Sequence, residues 1–278
     1  MHTPEILLLG GPDSGKTHFA GQLYGRLKRN PGLLELRDTP ADLTALEEVL
    51  HCLENGHAAE HTSAGTWTDV LLPLRDNHGN ELDLRWPDYG GEQLLTIFTE
   101  RQVTEAWRSQ LRLADGWLLL IRLKKETTYP DALKELANRS SDGNGTTARA
   151  GNWDGNARWV ELLQILLHVA GQSTVAHLEQ PRLAVLLSCY DELAVDDLLP
   201  SQVLAKNLPL VSAFIDSIWK PSAISIWGLS ALGCLLEKNS DNENFINQGP
   251  EHQGWVVNPD GHKDADLSRP LAWLLGVE

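Results

Sequence analysis

The sequence predicts an α/β fold with a mostly parallel sheet, one antiparallel hairpin and helices on both faces of the sheet. Short apolar runs suited to buried strands recur along the 278 residues, and segments with helical spacing of apolar residues separate them. Two alternating runs flank a tight polar turn, which indicates the hairpin. With 42% hydrophobic residues, the chain can bury a full core without disulfides or metals. We therefore expect a single domain over 1–278.

The first elements are a buried strand and two helices. The run from Glu5 to Gly10 is short, apolar and ends in glycines, which suits a strand of a parallel sheet. A helix is predicted over 16–29, where apolar residues recur every three to four positions, and Asn-Pro-Gly at 30–32 ends it. A second helix is predicted over 41–54, before Asn55-Gly56.

The hairpin and the later strands follow. Apolar and polar residues alternate over 70–74 and 82–86, on either side of the polar turn 76–79. Further apolar strands are predicted at 117–121, 183–187 and 223–227, with helical patterns over 92–112, 156–169 and 198–219. Strands that alternate with helices favour a mostly parallel sheet.

Three segments interrupt this rhythm and are predicted as insertions, namely 33–60, 124–157 and 238–266. Within the second, residues 138–157 are rich in Gly, Asn, Ser, Thr and Asp, which predicts a mobile loop. The third is polar and punctuated by Gly and Pro around a possible strand at 255–257.

Charge and cysteine content restrict the partners and the compartment. The formal net charge is −15, from 23 Lys and Arg against 38 Asp and Glu, and no basic run is visible. Nucleic acids and anionic membranes are therefore not expected as partners. The apolar run 6–9 is too short for a signal or a membrane span. Three cysteines, Cys52, Cys189 and Cys234, show no paired spacing, which favours a reducing, cytoplasmic location.

A phosphate-binding loop is the most specific motif. Residues 10–17, Gly-Gly-Pro-Asp-Ser-Gly-Lys-Thr, fit G-x-x-x-x-G-K-[ST] between a predicted strand and a helix start. Glycines let backbone N–H groups turn toward a β-phosphate, Lys16 would meet the β- and γ-phosphates, and Thr17 would bind Mg²⁺. The candidate binding residues here are Gly10, Asp13, Ser14, Gly15, Lys16, Thr17 and His18.

Three more motifs follow in order, each at the end of a predicted strand. They are Asp88-Tyr-Gly-Gly91, which fits D-x-x-G, then Ser188-Cys-Tyr-Asp191, and then Ser230-Ala231. Each is weak alone, since a D-x-x-G is usually a turn and an Asp after a strand usually caps a helix. Ligands bind at the carboxyl ends of strands in open α/β sheets, so the ordered set points to one site. Ser188-Cys-Tyr-Asp191 is similar to the base-recognition element [NT]-K-x-D of Ras-like GTPases, which implies that the Asp191 carboxylate accepts two hydrogens from guanine, whereas adenine presents an acceptor at the ring position.

Together these motifs resemble a TRAFAC-class, Ras-like P-loop GTPase. The resemblance implies that Asp88 holds Mg²⁺ and that the Gly91 N–H senses the γ-phosphate. It also implies that Ser188, Tyr190 and Asp191 form the base-recognition loop and that Ser230-Ala231 closes over the base. A switch threonine should bind Mg²⁺ in the triphosphate state. Thr66 is favoured because it lies 22 residues before Asp88, with Thr62 second and Ser63 and Thr68 as further candidates.

Residues 86–92 and 266–275 also show a narrower resemblance, to bacterial double-GTPase proteins of biological-conflict systems. That resemblance implies a GTP-controlled switch with Mg²⁺ and GTP or GDP bound, coupled to a protein effector or activator in antiviral or related defence.

Two departures from the Ras-like pattern concern catalysis and base choice. Glu92 stands where such enzymes commonly have Gln, and a carboxylate beside a γ-phosphate is repelled. With Lys16, Thr66 and Glu92 as the catalytic candidates, hydrolysis is expected to be slow or partner-dependent. Ser188-Cys189 replaces Asn/Thr-Lys, so guanine selectivity could be relaxed. No arginine finger is assignable, since Arg101 and Arg108 read as solvated helix residues.

Other functions stay open at this point. A phosphate loop also serves ATPases and small-molecule kinases, and a scaffold could hold nucleotide without turnover. Residues 57–61, His-Ala-Ala-Glu-His, fit the zinc-peptidase pattern H-x-x-E-H. Because they follow a predicted helix stop, a loop is favoured over a metal site.

Overall fold

A computed structural model describes residues 3–40, 42–59, 68–88, 92–128, 153–173, 175–195 and 197–276. Residues 68–69, 86–88 and 92 are described by their backbone. Over these ranges, no helix is both long and apolar enough to cross a membrane.

One mixed sheet organises the described part of the chain. Its strands are β1 (Glu5–Gly10), β2 (Leu34–Leu36), β3 (Thr68–Asp76), β4 (Glu81–Asp88), β5 (Gly116–Ile121), β6 (Arg182–Ser188), β7 (Ile224–Ser230), β8 (Trp255–Val257) and β9 (Lys263–Asp264). They lie in the order β2-β3-β4-β1-β5-β6-β7-β8-β9. The five central strands, in the order β4-β1-β5-β6-β7, pair in parallel.

Both edges of the sheet are antiparallel. β3 pairs with β4 as the predicted hairpin, with Val70 opposite Trp86, and β2 pairs with β3. On the other edge, β8 pairs antiparallel with β7 and β9 with β8. The predicted α/β class with a mostly parallel sheet and an antiparallel hairpin is confirmed.

The helices begin and end at local signals. They are α1 (Lys16–Arg29), α2 (Thr44–Glu54), α3 (Glu92–Glu100), α4 (Glu105–Leu113), α5 (Gly155–Val169), α6 (Pro200–Asn207), α7 (Pro209–Ile218), α8 (Glu243–Gln248) and α9 (Arg269–Leu275). The first helix has the bounds that the sequence predicts.

Two of the predicted helical segments each contain two helices. The segment 92–112 is interrupted after α3, where Arg101 has φ 56° and the Thr104 side chain caps Trp107 N at the start of α4. The segment 198–219 is interrupted at Leu208, because Pro209 cannot donate a helical hydrogen bond and instead begins α7.

Helices cover both faces of the sheet. Leu7 and Leu9 of β1 face a core made with α3 to α7. Ile6 and Leu8, on the opposite face, pack with α1 and α9. Side chains alternate across a strand, so one apolar run supplies both cores, and the predicted placement of helices on both faces is confirmed.

The predicted insertions contain regular structure. Residues 33–60 hold β2 and α2, and 238–266 hold α8, β8 and β9. The predicted mobile loop 138–157 lies mostly outside the described residues. Its last three residues are helical rather than loop, because the Asp154 carboxylate accepts a hydrogen bond from Asn156 N at 2.8 Å and starts α5 at Gly155.

Candidate functional site

The loop between β1 and α1 has the backbone of a phosphate-binding loop. Gly15 has φ 80° and ψ 14°, in the left-handed region, directly before the first residue of α1. Asp13 also has a positive φ of 54°, which Asp tolerates better than most residues. Left-handed residues among right-handed ones turn successive N–H groups inward, and the α1 N-terminus adds its positive dipole. The loop therefore provides a cradle for an anion.

Gly10 is packed too tightly for any side chain. A Cβ added there would lie 2.6 Å from Ser14 Oγ and 3.2 Å from both Cβ and the carbonyl O of Leu120. Glycine at this position lets the loop fold back against β5.

The Lys16 side chain is held across the phosphate loop by hydrogen bonds to backbone carbonyl groups of that loop. Its Nζ donates to the carbonyl O of Gly10 at 2.7 Å, to that of Gly11 at 2.8 Å and to Ser14 Oγ at 3.3 Å. Ser14 Oγ donates in turn to Gly11 O at 2.8 Å. Lys16 is 7% exposed, so its ammonium group is held within the turn of the loop. The charge is thus fixed where a bound polyphosphate would meet it.

Thr17 in α1 and Asp88 at the end of β4 are the metal candidates with a described backbone, and His18, a candidate for nucleotide binding, follows Thr17. Thr17 and His18 are half-buried in the first turn of α1. β4 pairs with β1 through Leu7 and Arg85, three residues before the two strands end at Gly10 and Asp88. The backbone of Asp88 therefore ends beside the phosphate loop. A hydroxyl and a carboxylate are oxygen ligands of the kind that Mg²⁺ takes, so these residue types fit that ion.

Several predicted switch residues have no described side chain. Thr62, Ser63, Thr66 and Gly91 lie outside the described residues. Thr68 begins β3 and its backbone is paired with that of Asp88. Glu92 is the first residue of α3. The switch assignments among these residues stay predictions.

Asp191 and Ser230, from two separate motifs, are hydrogen-bonded to each other. Asp191 lies just beyond β6 and is exposed, whereas Ser230 ends β7 and is 1% exposed. Ser230 Oγ donates to Asp191 Oδ1 and accepts from Gly233 N at 3.0 Å. The two residues are 39 apart in sequence, and the parallel pairing of β6 with β7 brings them together. The hydrogen bond fixes one carboxylate oxygen and leaves the carboxylate at the surface.

Ser188 and Tyr190 point into the protein rather than into an open site. Ser188 is 3% exposed. The Tyr190 ring is 6% exposed, packs edge-on against Trp255 at 6.3 Å, and lies against Gly228, whose added Cβ would be 2.8 Å from the ring. Burial raises the pKa of the Tyr190 hydroxyl. The buried Ser188 and Tyr190 side chains are therefore placed to support the Asp191 turn through packing.

The segment before β8 supports the loop after β7. Ala231 follows Ser230, and a Cβ on Gly254 would lie 2.2 Å from the Ala231 carbonyl O. This segment is fixed to α1 through its carbonyl groups. Gln22 Nε2 donates to Gln253 O at 2.8 Å, and Arg26 Nη2 donates to Gly254 O at 3.1 Å. The sequence analysis missed this support, since no motif marks it.

Arg122 is a further residue that the sequence analysis missed. Its Nη1 donates to the carbonyl O of Asp13 at 3.3 Å, and its guanidinium pairs with Glu192. The available signal is its position directly after the strand 117–121, at the edge where ligands bind. Arg101 and Arg108, which the sequence analysis considered in the search for an arginine finger, pair with Glu161 and Glu105, respectively.

A pocket of about 220 Å³ adjoins the phosphate loop. The loop forms one wall, α3 and α5 form the apolar walls, and charged side chains line the rim, namely Asp13, Arg122, Lys125, Glu126 and Arg158. Arg158 pairs with Glu126, and burial raises the pKa of that carboxyl. The phosphate loop therefore has a partly open pocket beside it, next to the helix that follows the D-x-x-G segment.

The zinc-peptidase pattern begins outside a helix. α2 ends at Glu54, and His57 follows the turn Asn55-Gly56. Glu60 and His61 lie outside the described residues. Among the residues that the structure describes, no group of three His, Cys, Asp or Glu side chains could hold a metal ion.

A sequence profile described as Double-GTPase 1 matches residues 7–274, which is nearly the whole chain. No curated protein matches the sequence.

Several solved structures are similar to the chain at low identity. The Arl6 BBS3 small GTPase from Trypanosoma brucei with bound GppNp is 10% identical, with 99% of this chain and 96% of that chain covered and a TM-score of 0.43. The signal recognition particle receptor SRb-GTP/SRX complex from Chaetomium thermophilum is 14% identical, with 85% and 94% covered and a TM-score of 0.39.

A bacterial selenocysteine-specific elongation factor, EF-Sec, is 12% identical, with 83% of this chain covered and a TM-score of 0.38. The match covers 26% of that elongation factor, so the chain spans about a quarter of its length.

Proposed function

The chain belongs to the Double-GTPase 1 family, and we propose that it binds GTP with Mg²⁺ and hydrolyses it to GDP and phosphate as a molecular switch. The observation that carries this proposal is that two loops of suitable chemistry follow the carboxyl ends of the parallel strands, on the same side of the sheet. Lys16 is held across the phosphate loop after β1, and Asp191 is fixed by Ser230 after β6 and β7. A triphosphate tail and a guanine base need those two chemistries at the two ends of one nucleotide.

At the phosphate end, this chain's groups bind and neutralise charge. The Lys16 ammonium would contact the β- and γ-phosphates, and the loop N–H groups would surround the β-phosphate. Thr17, Asp88 and Thr66 would hold Mg²⁺, which neutralises charge between the β- and γ-phosphates when bound. Gly91 would sense the γ-phosphate through its N–H. GTP would then order the segments 57–68 and 88–101, and loss of the γ-phosphate would release them.

Turnover is proposed to be slow or to depend on a protein activator. Glu92 stands where a neutral water-positioning residue is usual, and its carboxylate would be repelled by the γ-phosphate. The proposed partner that responds to the switch is a protein effector in bacterial defence, and the support for it is the resemblance of residues 86–92 and 266–275 to double-GTPase proteins of biological-conflict systems.

Competition between nucleotides tests the binding class. Purified chain in Mg²⁺ buffer is titrated with a fluorescent GDP, which is then displaced by GTP or ATP, with Lys16→Ala as the non-binding control. GTP is expected to displace the probe far more effectively than ATP. Preferential displacement by ATP would instead support an ATPase or kinase, and GTP binding without phosphate release above the Lys16→Ala background would support a scaffold.

Asp191→Asn tests the base assignment. An amide replaces one carboxylate acceptor with a donor, which no longer complements the guanine N–H groups but suits xanthine. We expect GTP affinity to fall by about tenfold or more and xanthosine triphosphate to become the better ligand. Ser230→Ala is the matched control, because it removes the hydrogen bond to Asp191 and keeps the carboxylate, so GTP should stay preferred. An unchanged base preference in Asp191→Asn would remove Asp191 from the site.

A further inference from the structure

β5 lies between the strand that leads to the phosphate loop and the strand that leads to Asp191. It pairs with β1 through Leu120 opposite Gly10, and with β6 through Ile121 opposite Leu187. Carboxyl ends of parallel strands meet at one edge of a sheet, so a side chain directly after Ile121 stands between the two loops. Arg122 has that position.

Arg122 contacts both loops. Its Nη1 donates to the Asp13 carbonyl O at 3.3 Å, its Nε donates to Glu192 Oε2 at 3.2 Å, and its Nη2 donates to the other carboxylate oxygen of Glu192. The Arg122 and Glu192 side chains are 22% and 15% exposed. A two-point ion pair with this much shielding is stronger than an ordinary surface pair. Glu192 directly follows Asp191, so the pair fixes the turn that carries the base-reading carboxylate.

Cys189 lies close to the same guanidinium. Burial raises the pKa of its thiol to about 11, although Arg122 acts in the opposite direction. The thiol is therefore neutral at pH 7 and does not compete with Glu192 for Arg122. Position 189 is also where the Ras-like pattern has lysine. Arg122 thus brings, from the neighbouring strand, a cation that the 188–191 loop does not carry.

We propose that Arg122 is a positioning residue that ties the phosphate loop to the Tyr190–Glu192 turn, with Glu192 orienting it, so that both ends of a nucleotide are held at once. This rests on the proposed function, because it requires one nucleotide to reach both loops. Without the ion pair, binding must order the two loops separately, and the binding-competent fraction falls. The described contacts of Arg122 are to Asp13 and Glu192. These residues lie in the phosphate loop and in the turn on the base side, which GDP and GTP would both contact, so the release of both nucleotides is expected to change to the same extent.

Nucleotide release measures this effect. Dissociation of a fluorescent GDP and of a fluorescent, non-hydrolysable GTP analogue is followed for wild type, Arg122→Gln, Glu192→Gln and the double variant. Each single variant is expected to release both nucleotides about tenfold faster, which corresponds to about 1.4 kcal/mol. The double variant should match the singles, because the two residues act through one contact. Arg122→Lys keeps the charge without the two-point fork and should lie between wild type and Arg122→Gln.

A matched ion pair provides the control. Arg85 contacts Glu5 through Nε at 3.1 Å and Nη2 at 3.5 Å, and the two side chains are 25% and 23% exposed. Glu5 is the first residue of β1, so this pair lies at the end of the strand away from the phosphate loop. Arg85→Gln should lower the melting temperature of nucleotide-free protein as Arg122→Gln does, and leave release unchanged.

The outcomes separate the two proposals. Wild-type release from both Arg122→Gln and Glu192→Gln, or equal acceleration in Arg85→Gln, overturns the role of Arg122 while GTP binding stands. A wild-type chain that retains no guanine nucleotide refutes the proposed function and the role of Arg122 with it. If Arg122→Gln fails to fold, Glu192→Gln and Arg122→Lys supply the same comparison.

Discussion

Gly10→Ala adds one methyl group where the phosphate loop packs against β5. The new Cβ would lie 2.6 Å from Ser14 Oγ, below any normal contact, so the Ser14 hydroxyl must move. It would also lie 3.2 Å from the carbonyl O of Leu120. Leu120 is paired within β5, so its backbone cannot yield without disturbing the central strands. The substitution is therefore expected to crowd the loop rather than fill a space.

The magnitude follows from these contacts. Moving Ser14 breaks its 2.8 Å hydrogen bond to Gly11 O and the 3.3 Å bond from Lys16 Nζ. Because Ser14 is 3% exposed, leaving these groups unpaired costs about 1–3 kcal/mol. Crowding against Leu120 costs about 1–3 kcal/mol more. The lower backbone entropy of unfolded alanine offsets about 0.5–1 kcal/mol of this. We expect a net loss of about 3 kcal/mol in the free energy of unfolding.

Urea unfolding of the nucleotide-free protein measures this loss. Gly11→Ala is the matched control, because its added Cβ would meet Trp159 Cζ2 at 4.0 Å, an ordinary van der Waals contact. That variant should lie within about 0.5 kcal/mol of wild type. If the two alanine variants unfold with the same free energy, the packing account of the loop is wrong.

Two further predictions concern the loop that carries Asp191. Gly228→Ala would place a Cβ 2.8 to 3.0 Å from three ring atoms of Tyr190, so it should destabilise the fold by about 1–3 kcal/mol and weaken GTP binding. Tyr190→Phe is its control and should not destabilise, since the hydroxyl has no hydrogen-bond partner among the described residues; urea unfolding and GTP titration give both answers, and a neutral Gly228→Ala would contradict the packing. Burial raises the pKa of the Cys189 thiol to about 11, so its alkylation at pH 8 should be about a hundredfold slower than that of an unburied thiol and should rise tenfold per pH unit. Mass spectrometry of iodoacetamide-treated protein resolves the site, and a rate that levels off near pH 9 would contradict the raised pKa of the Cys189 thiol.

The sequence predicted most of the strands and the phosphate loop because both are encoded locally. Apolar runs mark buried strands whatever their neighbours are, as at Gly116–Ile121 and Arg182–Ser188. The glycines and Lys16 have a spacing that the loop backbone itself requires. The broken helices are a local signal that the sequence analysis did not use, since Pro209 marks one of the two interruptions.

The tertiary structure decided which residues of the separate motifs are in contact. The hydrogen bond between Ser230 and Asp191 joins residues 39 apart, and the ion pair between Arg122 and Glu192 joins residues 70 apart. Such contacts depend on which strands are neighbours in the sheet, and periodicity along the chain does not carry that information. The sequence alone therefore determined the chemistry available at each strand end. The strand order decided which of those groups meet, because only neighbouring strands bring their carboxyl ends within hydrogen-bond distance.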